Sequence, residues 1–284
     1  MSAQPCWLLR SAGPKKYAGP GPVSSYREKQ STLFHRDAFQ GSPHTGRILF
    51  IYTVNIVYAE LHCLTHYSFL RGASAPEELV GRAANCGYHA LAITDECSLA
   101  GVVKAHVAAK ERELKLIVGS ELTLTEGIRL VALVPSREAY GELSGLISRA
   151  RRRSGKGEYR VHLRDVIFHL KRCLLILLPD DTENQAVHLQ QLARRCKGRV
   201  WIGVSRLLGN DEWRRFKHRY HMAQNLQVPM VACGEVQMHS AKRKALHDVL
   251  TAIRLQTPVQ QLGHRRLINS QQHLRTLDTL HSLY

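Results

Sequence analysis

The sequence lacks the signatures of several protein classes. It has no run of about 18 apolar residues, so no membrane-spanning helix is predicted. It has no Cys-x-x-Cys pair, and its 7 cysteines are odd in number and widely spaced, which argues against a disulfide framework or a zinc ribbon. No glycine-rich phosphate loop matches either common pattern. The cysteine pattern predicts a protein of a reducing compartment, the cytoplasm.

Acidic residues are scarce relative to basic ones. The chain of 284 residues holds 40 Lys and Arg against 23 Asp and Glu, which gives a formal net charge of +17. A field of that sign attracts polyanions such as DNA and RNA. No cationic amphipathic helix stands out that would direct the charge to a membrane. Hydrophobic residues at 44% and charged residues at 22% are ordinary globular values, which excludes wholesale disorder.

Residues 1–57 differ in composition from the rest of the chain. Five of the 10 prolines lie in residues 1–47, where no apolar periodicity is present. The apolar run at 48–58 is predicted to be a β-strand rather than a signal segment, because it lies far from the start and has no cleavage site. We predict residues 1–57 to be a disordered or poorly ordered basic extension. The alternative is upstream sequence translated from an early start site.

From residue 58 onward, short β-rich runs alternate with helical stretches. Strands are predicted at 58–63, 89–94, 114–119, 128–134, 173–178, 199–204 and 228–233. Helices are predicted at 76–87, 99–112, 136–151, 184–197, 211–226 and 240–255. Pro76 suits a first helical turn, and Gly87 and Gly198 end helices just before strands. This alternation predicts an α/β fold with a mostly parallel sheet, and a barrel rather than a doubly wound sheet. Residues 256–284 are polar and His-rich, and no element that closes the fold is predicted there.

Polar residues follow the carboxyl ends of four predicted strands. They are His62, His66, Asp95, Glu96, Glu121, Glu235, Gln237 and His239. In parallel α/β folds these ends share one rim, where ligands bind. Imidazoles and carboxylates there suit Zn, Mn or Fe, which could activate water against a phosphoester. The structural alternatives are that Asp95 caps the next helix and that Glu121 is a solvated acid at a strand end.

A basic run is a second candidate site. It comprises Arg151, Arg152, Arg153 and Lys156, which could contact nucleic-acid phosphates or a docking partner. The alternative is a solvated helix end that complements the helix dipole. Trp201 and Trp213 are predicted to be core or interface residues rather than base-stacking platforms.

Three segments carry a resemblance to a known family. Residues 58–74, 90–101 and 114–121 resemble the motifs of a PHP (polymerase and histidinol phosphatase) domain, in the form found in bacterial error-prone DNA polymerases. Residues 151–159 and 245–254 support that form. The resemblance implies a distorted seven-stranded β/α barrel of PHP type over residues 58–275, followed by a tail at 276–284.

The chain departs from a metal-loaded PHP domain at several positions. Leu64 stands at the second histidine of His-x-His, Arg71 at a later acid, and Arg129 near a further histidine. Glu96 replaces the histidine of Thr-Asp-His, and Gln237 the closing histidine. The metal residues that the resemblance still implies are His62, Glu96, Glu121, Glu235 and His239. We therefore assign no catalytic residue or cofactor. At most we expect weak Zn or Mn binding, with a single ion on His62, Glu121 and Glu235 as an option.

The resemblance implies a role in damage-tolerant (translesion) DNA synthesis. The palm domain that joins nucleotides would need several hundred further residues, so we expect this chain alone not to polymerise DNA. The favoured function is a non-catalytic support, with DNA, the polymerase core or other translesion-synthesis proteins as partners. The alternatives are a metal-dependent phosphoesterase or 3′–5′ exonuclease of PHP type, and a non-specific nucleic-acid-binding module.

Overall fold

A computed structural model of the chain describes residues 57–180 and 185–284. Residues 1–56 lie outside the described residues. The predictions for the extension, and for all but the last two residues of the strand at 48–58, therefore fall there. None of the helices in the described ranges combines the length and apolar character of a membrane span. The 6 cysteines in these ranges are free thiols.

Seven strands form one sheet in chain order and give a nearly closed barrel. They are β1 (Ala59–Glu60), β2 (Ala90–Ile93), β3 (Lys115–Thr123), β4 (Arg129–Val134), β5 (Leu174–Leu177), β6 (Val200–Val204) and β7 (Met230–Ala232). Four of the six pairings are parallel, but β4 runs antiparallel to both β3 and β5. Only residues 124–128 join β3 to β4, with Gly127 at φ 80°, and a crossover would need about a dozen residues. The predicted seven-stranded, mostly parallel α/β barrel is confirmed.

Eight α-helices lie in the described residues. They are α1 (Pro76–Asn85), α2 (Val102–Glu111), α3 (Arg137–Arg152), α4 (Leu163–His169), α5 (Ala186–Arg195), α6 (Glu212–Leu226), α7 (Lys244–Arg254) and α8 (Leu277–Leu283). Six of them match the predicted helices. Helix α1 begins with Pro76, and the Glu78 carboxylate accepts a hydrogen bond of 2.9 Å from the Ala75 amide, which satisfies one of the free amides of the first turn.

Two helices were not predicted. Helix α4 has only 7 residues, too few to show helical periodicity in the sequence. In 256–284, where no closing element was predicted, α8 forms, with the Thr276 hydroxyl accepting a hydrogen bond from the Thr279 amide. Leu280 of α8 is buried in a cluster with residues of α1 and α2. The residues after 275 therefore pack on the outside of the barrel.

Three apolar clusters stabilise the barrel. One fills its interior with alternate strand residues such as Ala90, Ala92, Val131 and Leu133. A second packs α3 to α6 on β3 to β6, and a third packs α1, α2 and α8 on β2 and on Cys63, which follows β1. Because burial on both faces requires apolar side chains at successive strand positions, the strands read as continuous apolar runs in the sequence.

A seam joins the first and last strands without a regular ladder between β1 and β7. The Glu60 side chain, 1% exposed, accepts hydrogen bonds at Oε1 from the amides of Leu61, His62 and Gly234, the last at 2.7 Å. The Tyr58 hydroxyl donates to Oε2. Burial raises the pKa of Glu60, although these hydrogen bonds act in the opposite direction. A Cβ at Gly234 would lie 2.3 Å from Glu60 Oε2, so this close approach requires glycine.

Candidate functional site at the barrel mouth

The strand ends bring five charged or ionisable residues to one mouth of the barrel. His62 follows β1, Glu96 follows β2, Glu121 lies on β3 and Glu235 follows β7. Arg129 joins them because β4 is antiparallel: its first residue pairs with Thr123 at the end of β3. The reversed strand therefore supplies a cation to a rim that otherwise carries histidine and carboxylates.

His62 and Glu121 form the innermost contact of the mouth. His62 Nε2 lies 2.7 Å from Glu121 Oε2, and the two side chains are 2% and 0% exposed. Burial alone would raise the pKa of Glu121. The hydrogen bond from His62 and the positive charges of Arg71 and Arg129 outweigh burial and hold that pKa far below its usual value. Glu121 is therefore a buried carboxylate that stays ionised.

Arg71 links Glu121 to Glu96. Its Nη1 lies 2.7 Å from Glu121 Oε1 and 2.6 Å from Glu96 Oε2. The Tyr159 hydroxyl donates to the other oxygen of Glu96 at 2.9 Å. The two carboxylates raise the pKa of the Arg71 guanidinium even though burial would lower it. Arg71 thus stands among the carboxylates as a permanent positive charge.

Arg129 links Glu121 to Glu235. Its Nη2 lies 3.2 Å from Glu235 Oε2, and its Nη1 lies 3.8 Å from Glu121 Oε2. Glu235 Oε1 accepts a hydrogen bond from the Ser205 hydroxyl at 2.6 Å and lies 3.9 Å from Arg219 Nη2. Burial opposes ionisation of Glu235, but Arg129 and Arg219 lower its pKa to about 2. We call the residues Arg71, Arg129, Glu96, Glu121 and Glu235 the ion-pair network.

Asp95 shapes the loop that carries Arg71. Its carboxylate accepts hydrogen bonds from the Thr65 amide and hydroxyl and from the Ser68 hydroxyl, at 2.7–2.8 Å. The alternative that Asp95 caps the next helix was wrong, because α2 begins after Gly101 and has no side-chain cap. A Cβ at Gly72 would lie 2.0 Å from the Thr65 carbonyl oxygen, so the return of this loop requires glycine.

His239, the fifth implied metal residue, does not join the other four. Its Nδ1 lies 2.9 Å from the Ser74 hydroxyl and 3.7 Å from Glu78 Oε2, at the start of α1. Burial lowers the pKa of His239, and the Glu78 carboxylate opposes that shift. Gln237 contacts His247 instead, at 2.6 Å between Oε1 and Nε2.

The basic run divides between internal and exposed side chains. Arg151 donates to the carbonyl oxygens of Glu96 and Cys97, and Arg153 forms an ion pair with Asp165 at 2.5 Å. Those two guanidiniums therefore support the fold. Arg152 and Lys156 are exposed, and their contact with phosphates or a partner stays a prediction.

The two tryptophans of the described residues have different environments. Trp201 packs against the interior cluster, as a core residue should. Trp213 is 60% exposed and stacks on Phe216 with 5.5 Å between ring centroids. Trp201 is therefore a core residue, as predicted. An interface role for Trp213 stays a prediction.

The donor set does not fit a zinc or manganese centre. In residues 57–180 and 185–284, no three His, Cys, Asp or Glu side chains lie close enough together to share an ion. Arg71 and Arg129 each contact two of the carboxylates that a metal would need. A metal cation at this position would be repelled by the two guanidinium groups, which cannot lose their charge. The same geometry disfavours a single ion on His62, Glu121 and Glu235.

Acid should destabilise the protein through this network. The pKa values of Glu121 and Glu235 lie below the ordinary 4.5 in the folded state, so both contribute stability above that pH and lose it as pH falls toward 2. Glu60 and Asp95 have raised pKa values and oppose part of the trend. We expect the free energy of unfolding, measured with urea, to fall between pH 5 and about pH 3.

The Glu235→Gln variant provides the control for this pH dependence. It retains the side-chain shape and the acceptor for Ser205, but it cannot titrate. Its free energy of unfolding should fall less steeply over the same pH range than that of the wild type. An equal slope in both proteins would contradict the assignment of this titration to Glu235.

The chain is similar to known proteins in sequence and in structure. Residues 60–197 match the PHP domain family. The chain is 54% identical over 228 residues to an error-prone DNA polymerase of Saccharophagus degradans and 47% identical over 228 residues to one of Pseudomonas aeruginosa. Each alignment covers 80% of this chain but 22% of the relative, so the chain spans about a fifth of their length, in their N-terminal part. An amidohydrolase structure from Chromobacterium violaceum is 16% identical, with a TM-score of 0.46, and covers 63% of this chain and 87% of its own.

Proposed function

Because this chain carries a PHP domain at residues 60–197, we propose that it acts as the non-catalytic PHP support of an error-prone DNA polymerase in damage-tolerant DNA synthesis. Its relatives are polymerases of that name, and the chain is similar to their N-terminal part. The proposed partner is the polymerase core, near the template DNA. Contact with other translesion-synthesis proteins is a further part of this proposal.

The ion-pair network is the observation that carries the proposal. Hydrolysis of a phosphoester by a PHP-type site would need metal ions to activate water, and Arg71 and Arg129 engage the carboxylates that would bind them. The carboxylates form ion pairs with arginines instead of binding metal ions. The barrel is therefore folded, but its described residues offer no metal centre for phosphoester hydrolysis. This arrangement favours the support function over the phosphoesterase and exonuclease alternatives.

An exposed apolar face on α7 supports a docking role. Leu246, Val249 and Ile253 are 40%, 44% and 57% exposed and lie on one side of the helix, three and four residues apart. Contiguous apolar side chains at a surface are typical of an interaction site. We propose that this face packs against the polymerase core.

Co-purification tests the support function. We expect this chain to associate with the Saccharophagus degradans polymerase from which the aligned N-terminal segment has been removed. Serine at Leu246, Val249 and Ile253 should weaken that association at least about tenfold, because the substitutions remove an apolar contact. Serine at Val103 and Val107, which are 71% and 52% exposed on α2, is the matched control and should leave association unchanged.

Three outcomes would count against the support function. The first is equal association of the α7 variant, the α2 variant and the wild type, and the second is no association at all. The third is hydrolysis of a phosphodiester substrate that depends on added Zn²⁺ or Mn²⁺ and is abolished by His62→Ala. That third result would favour the phosphoesterase alternative instead.

A further inference from the structure

A cavity of about 440 Å³ opens at the barrel mouth beside the ion-pair network. Its lining includes four arginines, namely Arg71 and Arg129 of the network and Arg254 and Arg265 from the segment that follows β7. Glu96 and Glu121 also line it, but both already bind Arg71. The cavity therefore has more guanidinium groups than its carboxylates neutralise.

Arg254 and Arg265 supply the excess charge. Within the described ranges neither forms an ion pair, and Arg265 makes only a long contact of 3.4 Å to the carbonyl oxygen of Gln261. Both side chains are exposed, so they can move toward a ligand without breaking an existing ion pair. Guanidinium groups bind phosphate oxygens through paired hydrogen bonds, and each bond is strengthened by the charge on both partners.

One buried polar atom at the same cavity points to a ligand. Thr251 is 1% exposed and lines the cavity. The described residues offer no hydrogen-bond partner to Thr251 Oγ1. Buried polar atoms are normally paired, because an unpaired one has lost its hydration without compensation. A phosphate oxygen in the cavity would accept a hydrogen bond from the Thr251 hydroxyl.

Phe69 adds a second kind of contact at the entrance. Its ring is 80% exposed and lines the cavity beside Arg71. Exposed aromatic rings next to arginines are a common platform on which nucleic-acid bases stack, whatever the base. The entrance thus combines a stacking surface with a cationic interior.

We propose that this cavity binds the phosphate group of a nucleotide or of a single-strand end, with guanidinium groups and the Thr251 hydroxyl taking the place of metal ions. Phosphate binding in this cavity does not depend on the proposed packing of the α7 face against the polymerase core.

The first test measures binding of thymidine 5′-monophosphate by calorimetry, with EDTA present. The double variant Arg254→Gln, Arg265→Gln should bind at least about tenfold more weakly, since it loses two charge-assisted contacts. The matched control is Arg194→Gln, Arg266→Gln, which removes two exposed arginines that do not line the cavity and should change affinity less than twofold. Equal losses in both variants, or binding that EDTA abolishes, would overturn the proposal.

A second variant separates binding from folding. Thr251→Val removes the unpaired hydroxyl with little change in shape, so the free protein should be as stable as the wild type or more stable. Its affinity for the nucleotide should nevertheless fall several-fold. Unchanged affinity, or no binding of the nucleotide by the wild type at millimolar concentration, would refute the site.

Matched oligonucleotides identify the source of the phosphate. A short oligo-dT with a 5′-phosphate should bind more tightly than the same strand without it if the cavity takes a strand end. Equal binding of the two strands, together with specific binding of the mononucleotide, would assign the cavity to free nucleotides. Inorganic phosphate should compete with the bound ligand in either case.

Discussion

Replacing Arg129 with methionine should destabilise the protein by about 3–5 kcal/mol, measured as the free energy of urea unfolding at pH 7. The substitution keeps the apolar part of the side chain but leaves Glu121 and Glu235 without the guanidinium they share. Both carboxylates are buried, at 0% and 7% exposure, and their low pKa values depend on that charge. Arg71 stays beside Glu121 and Arg219 stays near Glu235, but the two buried carboxylates lose one of their compensating positive charges. Removing one partner of a buried ion pair costs far more than the pair contributes.

The control for Arg129 is an exposed ion pair. Arg172→Met removes the pair of 2.6 Å with Glu142, in which the arginine is 60% exposed, and should cost less than about 1 kcal/mol. Comparable losses in the two variants would mean that the pairs of the network are no more important than surface pairs. Raising the salt concentration should reduce the smaller effect more than the larger one.

Replacing Glu60 with alanine should cost at least about 3 kcal/mol of folding free energy, as measured by urea unfolding. The side chain satisfies three backbone amides and the Tyr58 hydroxyl at the seam. Without it, three buried donors lose their acceptor at the point where β1 meets the residues after β7. The seam has no regular strand ladder to replace those bonds.

Glu60→Gln provides the matched comparison. The amide oxygen can accept the three backbone hydrogen bonds now made by Oε1, and the amide nitrogen can donate to Tyr58. Burial already raises the pKa of Glu60, so a neutral side chain should suit the position, with a change within about 1 kcal/mol. A large loss in Glu60→Gln would show that the negative charge, rather than hydrogen bonding, holds the seam.

The sequence predicts most of the barrel because its strands are buried on both faces. Runs such as Ala90–Ile93 and Leu174–Leu177 contain only apolar residues, and amphipathic helices separate most of them. The direction of β4 is the exception. The predicted strands at 114–119 and 128–134 leave too short a connection for a parallel crossover. The antiparallel direction of β4 could therefore have been predicted from the length of this connection alone.

The candidate site was harder to predict. His62, Glu121 and Glu235 could be placed at one rim from strand order, whereas Arg71 and Arg129 were counted only as losses of metal ligands. Their pairing with the carboxylates depends on the side-chain conformations of residues far apart in the sequence, which hydrophobic periodicity does not predict. Tyr159 and Arg219 come from α-helical or loop segments far along the chain, and no local motif indicates that they contact Glu96 and Glu235.

The antiparallel pair β3–β4 also bears on the order in which the barrel forms. Its two strands are joined by residues 124–128, so their six paired positions close a short loop and lose little chain entropy. Glu60 and Gly234 are 174 positions apart, and their contact must wait for most of the chain. We therefore expect the hairpin to be an early folding unit and the seam to close last. Glu60→Ala should accordingly speed unfolding far more than it slows folding.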